Sequence, residues 1–137
     1  MNDKITTAVG IAIINNERKL LIAKRKPDKP MPNKWEFPGG KLEENESLQE
    51  CGIREIKEEL DIDIKIDEYL GFEDLKYKEK KFCLHFYTAH KIDETQFVKL
   101  YEHTEYKWVD ISELIKYDFH AIEFSVINKL KRYMQII

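Results

Sequence analysis

Glu55, Glu58 and Glu59 fall within five positions in the stretch Arg54-Glu-Ile-Lys-Glu-Glu-Leu-Asp-Ile62. On a helix, at about 100° per residue, they share one face and border the apolar sector of Ile53, Ile56 and Leu60. Like charges at this spacing repel by about 0.2–0.5 kcal/mol per exposed pair. No lysine stands four residues after Glu55 or Glu58 to relieve them. Two readings are open. One is a solvated acidic face. The other is a set of oxygen ligands for a hard divalent cation such as Mg²⁺, which binds a few carboxylates together with substrate phosphates.

The helix that must carry these acids is legible. Ser47 and Glu50 form a capping box, which predicts a helix from about Leu48 to Leu60. Asp61 comes next, where helices often end on a left-handed residue, a conformation aspartate tolerates better than most. Upstream, residues 26–34 hold three prolines and read as a loop that continues through Glu36-Phe-Pro-Gly-Gly40. Glycines there let a backbone approach something closely.

Apolar, β-branched runs predict strands over Ile5–Ile14 and Lys19–Lys24, joined by a turn at Asn15-Asn16. Further strands are expected over Ile62–Phe72, Lys81–His90 and Tyr106–Val109. Asp110 and Glu113 repeat the capping-box pattern and open a brief helix. A last helix runs from about Ala121 to Met134, with Ile127, Leu130 and Met134 on one stripe. The sum is a mixed α/β fold in which helices pack on a sheet, in one domain spanning residues 1–137.

The net charge of −3 argues against a nucleic acid polymer as partner, since such proteins carry a basic excess. A small phosphate ligand needs only a few local cations. No apolar run approaches membrane-spanning length and no leader pattern opens the chain, so the expected location is the cytoplasm. Cys51 and Cys83 have no metal-type spacing; Cys83 lies in an apolar run and is expected in the core.

Gly40, then five residues to Glu46, then seven to Arg54-Glu55-x-x-Glu58-Glu59, resembles the signature box of the Nudix hydrolase family at six positions. The departure is Asp61, where the family usually has glycine. The resemblance continues along AVGIAII, AKRK, NKWEFPGGK, LHFYTA and EHTEYKWVD, in the order seen in MutT-like members. It implies a mixed β-sheet sandwiched between α-helices. It also implies Mg²⁺-dependent (or Mn²⁺-dependent) hydrolysis of a nucleoside triphosphate to the monophosphate and pyrophosphate.

By position, the resemblance implies metal ligands at Glu55, Glu58, Glu59, the Gly39 carbonyl and Glu102, with Glu55 orienting or deprotonating the water. Glu102 otherwise reads as a loop acid. Arg25 and Lys41 are the cations expected on phosphate, with Lys41 counted among the catalytic groups. Glu46 and Arg54 are expected to hold loop and helix in register. Glu123 matches the base-reading position near the start of the last helix, or is an acid favoured by the helix dipole. Phe37 and Phe82 are candidates to flank the base, or core aromatics.

The leading substrate expectation is oxidised dGTP, in a nucleotide-pool-cleaning role. Alternatives are (d)CTP or a modified (d)CTP, and a non-catalytic nucleotide-binding module. The expected assembly is a monomer or homodimer, with no membrane partner.

Overall fold

The computed structural model describes residues 4–119 and 124–137. Its strands are β1 (Ile5–Ile13), β2 (Leu20–Arg25), β3 (Trp35–Glu36), β4 (Gly39–Lys41), β5 (Ile64–Tyr77), β6 (Lys80–Lys91) and β7 (His103–Val109). The helices are α1 (Leu48–Leu60), a short 3₁₀ turn over Ile111–Lys116, and α2 (Phe124–Ile136).

The strands form two sheets. In the first, ordered β4-β1-β6-β5, β1 and β6 run parallel and the other pairs are antiparallel. In the second, β2 lies between β3 and β7, antiparallel to both. Successive side chains of β1 point to opposite faces, and both faces are buried. Val9, Ile11 and Ile13 pack with Ile56 and Leu60 of α1; Ala12 packs with Leu20, Ile22, Phe86 and the α2 stripe of Val126, Leu130 and Met134. Gly52 lets α1 settle on β1, since a Cβ there would lie 2.7 Å from Ile11 Cδ1. None of the described helices is long and apolar enough to cross a membrane.

Several boundaries differ from the sequence expectation. Residues 35–41 contain two short strands in place of an uninterrupted loop, because their pairing partners on β2 and β1 are remote. The strand expected to stop at Phe72 continues to Tyr77. Its charged end pairs with β6 across a tight turn in which Lys78 and Glu79 both have positive φ. Ile53, expected against the core, is 41% exposed, since the buried stripe of α1 is limited to Cys51, Gly52, Ile56, Glu59 and Leu60. Cys83 is half-buried, with Sγ 3.5 Å from His85 Nε2 on an open part of the sheet. The expected start of the last helix at Ala121 lies outside the described residues.

A bulge between Lys24 and Arg25 of β2 shifts the β2–β7 register so that Arg25 faces His103 directly. Bulges of this kind re-aim a side chain that regular pairing would turn elsewhere.

Candidate active site

The capping box fixes the register of α1: the Glu50 N–H donates to Ser47 Oγ at 3.0 Å, and the Ser47 N–H to Glu50 Oε1 at 2.8 Å. With the apolar stripe against β1, this leaves Glu59 buried, Glu55 half-buried and Glu58 exposed. The three acids thus step from interior to surface along one face.

Their crowding is relieved by their own neighbour. Arg54 Nη1 donates to Glu55 Oε1 at 2.9 Å and to Glu58 Oε1 at 3.1 Å. The same guanidinium grips Glu46 through Nε and Nη2, at 2.9 and 2.7 Å, and reaches the Lys41 carbonyl at 3.1 Å. Such forked, charge-assisted pairing is specific in geometry as well as strong. Arg54 beside it holds the Glu46 carboxyl at about 2. The Arg54 guanidinium is itself raised by Glu46. Cys51 lies beneath this network, its thiol pushed up to about 12 by burial, and is chemically quiet.

Two glycines bring the backbone against the acids. A Cβ on Gly39 would lie 1.8 Å from the Val9 carbonyl oxygen, so only glycine permits β4 to sit so close to β1. A Cβ on Gly40 would lie 2.3 Å from Glu55 Cδ, within the space of the carboxylate. Gly39, Gly40 and Lys41 also line a cavity of about 680 Å³, a size suited to a nucleotide. Arg25, Phe37, Phe82 and the proline loop line it too, so the structure brings the expected phosphate cations and both candidate base-flanking aromatics to one space. Trp35 is buried, edge-on to Tyr117 with ring centroids 5.1 Å apart.

Sequence reasoning missed Glu36 and His103. Arg25 Nη1 donates to Glu36 Oε1 at 2.9 Å, and His103 Nε2 lies 2.8 Å from Glu36 Oε2. Burial pushes the Glu36 carboxyl up, but the His103 hydrogen bond and the Arg25 charge outweigh it and hold it below its ordinary value. The same His103 nitrogen is 4.0 Å from Glu59 Oε1. A readable signal existed: an acid wedged between Trp35 and Phe37 in a buried run needs a partner. Its partner, 67 residues away, had no local mark.

Glu59 is the buried member of the three helix acids. Burial raises its carboxyl far above the usual range, and the nearby Glu55, Glu36 and Glu102 add to the rise. Its Oε1 is buried with no hydrogen-bond partner. Glu102 is exposed and pairs with Lys29 of the proline loop at 3.3 Å. Lys26 Nζ donates to the Tyr101 carbonyl at 3.0 Å and ties the same loop to this strand end. Arg25 Nε donates to the Pro30 carbonyl at 2.8 Å. Glu123 lies outside the described residues.

Among the described residues, no three acidic, histidine or cysteine side chains are drawn together closely enough to hold a metal ion as they stand. Arg54 engages Glu55 and Glu58, and Lys29 pairs with Glu102. The donors nevertheless fit a hard divalent ion. They are carboxylate oxygens, one is buried and unpartnered, and a cation beside them would offset the mutual repulsion that raises Glu59.

The chain is similar to known proteins over nearly its whole length. A NUDIX domain model matches residues 4–130. The chain is 34% identical over 131 residues to the 8-oxo-dGTP diphosphatase of Escherichia coli K12, covering 94% of this chain and 98% of that protein. It is 30% identical over 109 residues to the CTP pyrophosphohydrolase of the same organism, covering 80% of this chain and 79% of the relative. Among solved structures, the MutT protein of Methanosarcina mazei Go1 superposes with a TM-score of 0.80 at 25% identity, over 99% of this chain and 97% of that one.

Proposed function

The chain belongs to the Nudix family of hydrolases acting on nucleotides, and on that premise we propose that it is a Mg²⁺- or Mn²⁺-dependent nucleoside triphosphate pyrophosphohydrolase. The observation that carries this reading is the unpartnered Glu59 oxygen, with Glu55 pressed against Gly40 where the backbone opens on the cavity. Glu55, Glu58, Glu59, the Gly39 carbonyl and Glu102 would hold the ion. Bound there, the ion supplies charge neutralisation on the phosphates and a more acidic water at neutral pH.

The chain's own groups do the rest. Glu55 takes the water's proton as the new P–O bond forms and the phosphoanhydride bond breaks, releasing monophosphate and pyrophosphate. Arg25 and Lys41 balance the charge of the triphosphate from the cavity wall. Arg54, clamped on Glu46, keeps the loop from Lys41 to Glu46 in register with α1 and steadies Glu55. Phe37 and Phe82 flank the base; Glu123 reads its edge.

Oxidised dGTP is the leading substrate, supported by the 34% identity with the E. coli 8-oxo-dGTP diphosphatase, and the proposed role is cleaning the cytoplasmic nucleotide pool in the service of DNA repair. The CTP pyrophosphohydrolase relative supports (d)CTP as a second reading. A panel of nucleoside triphosphates with Mg²⁺, assayed for monophosphate and pyrophosphate, tests both. Turnover of 8-oxo-dGTP above all others supports the first reading and a preference for CTP the second, whereas no turnover of any nucleotide contradicts both.

A further inference from the structure

Glu36 stands between two donors that serve different halves of the site. Arg25, which lines the cavity, reaches it from β2, and His103, beside Glu59, reaches it from the start of β7. The bulge at Lys24–Arg25 is what sets Arg25 opposite His103, with β3 bringing Glu36 alongside Ala23. Two donors of the Arg25 guanidinium are thereby used, Nη1 on Glu36 and Nε on the Pro30 carbonyl. Among the described residues the other guanidinium N–H groups take no partner and are left for a ligand in the cavity.

On the other side, His103 Nε2 lies 2.8 Å from Glu36 Oε2 and 4.0 Å from Glu59 Oε1, so only Glu36 is within hydrogen-bond distance of an N–H at that nitrogen. The imidazole therefore fills the space beside Glu59 without bonding to it, and Glu59 Oε1 keeps its lone pairs. Had Glu36 been apolar, the ring would need only a small tilt to give its N–H to Glu59.

We propose that Glu36 is a positioning residue for both halves of the site: it fixes Arg25 toward the phosphates, and it holds the His103 N–H away from Glu59 so that Glu59 stays open to a cation. This rests on the pyrophosphohydrolase reading above. A purely structural ion pair would sit in the same place, so the two roles are separated by binding and not by stability.

The test is calorimetric binding of Mn²⁺, and of a non-hydrolysable α,β-methylene nucleoside triphosphate with Mn²⁺, to the wild type, Glu36→Gln, Arg25→Ala and their double variant. Glu36→Gln should weaken the analogue about 5- to 20-fold, as expected when a charge-assisted bond becomes neutral. In the Arg25→Ala background the same change should cost distinctly less than in the wild type, because the share carried by Arg25 is already gone and only the share carried through the Mn²⁺ site remains. Mn²⁺ should bind Glu36→Gln more weakly than the wild type, and His103→Phe added to Glu36→Gln should restore it by removing the competing N–H.

Unchanged affinities in Glu36→Gln, or equal losses with and without Arg25, would overturn the positioning role while leaving the function intact. A wild type that binds neither Mn²⁺ nor the analogue would contradict the function and the inference together. Should Glu36→Gln melt below the assay temperature, Glu36→Asp, which keeps the charge and shortens its reach, serves in the same cycle.

Discussion

Arg54 and Glu46 are joined by two parallel hydrogen bonds, 2.9 and 2.7 Å, that tie the loop before α1 to the middle of the helix. The same guanidinium touches Glu55 and Glu58, so a pair that looks structural also sets where the proposed metal ligands stand.

That pair has a pH signature. The Glu46 carboxyl titrates at about 2 in the folded chain, below its ordinary 4.5. A lowered folded-state value means that the folded chain sheds this proton more readily than the unfolded one. The contribution is therefore complete above about 4.5 and is lost as the pH falls toward 2. Melting temperatures of the wild type and Glu46→Gln should differ at about pH 6 and converge on acidification over that window. A constant gap across it would contradict the assignment.

Two glycines of similar tightness should behave differently. Gly40→Ala places a methyl inside the Glu55 carboxylate, 2.3 Å from Cδ, and should lower turnover by about 100-fold or more, the scale seen when a reacting group is misplaced. Gly52→Ala meets Ile11 Cδ1 at 2.7 Å and should cost about 1–3 kcal/mol of stability through overpacking, with turnover largely kept. Denaturant melts and steady-state rates on both variants check the contrast. Equal loss of activity in the two would argue against a special place for Gly40.

Asp61 closes α1 with φ 54° and ψ 38°, its N–H donating to the Lys57 carbonyl at 3.0 Å. Its side chain pairs with Lys57 and Lys99 at 3.4 and 3.3 Å, which offsets a negative charge at the negative end of the helix. Asp61→Gly should relieve the left-handed strain of a residue with a Cβ and forgo two surface pairs, two small effects of opposite sign. Stability should change by less than about 1 kcal/mol and activity not at all. A marked loss of metal-dependent turnover would instead make Asp61 a functional acid.

The contrast between Asp61 and Glu36 shows what the chain's linear order reveals. The capping box, the span of α1 and its left-handed end are written in residues three or four apart, and the structure reproduces the helix from Leu48 to Leu60. The box of acids and glycines is local in the same way. Ile53 lies more open than its spacing suggests, because periodicity marks the direction of a stripe and not how much of it a neighbour covers. β3, β4 and the extra length of β5 escape a local reading because pairing depends on partners far along the chain. Glu36 and His103 escape it for the same reason, as the bulge that brings Arg25 to them appears only when β2 and β7 are laid side by side.

The most direct test of the central claim is Mg²⁺-dependent pyrophosphate release from 8-oxo-dGTP by the wild type and by Glu59→Gln, a change that preserves shape and removes the charge. The wild type should turn over only with a divalent ion. The variant, correctly folded by its melt, should lose about 100- to 1000-fold in rate, as when a group that stabilises developing charge is removed. Undiminished turnover in Glu59→Gln, or turnover by the wild type in excess chelator, would contradict the account.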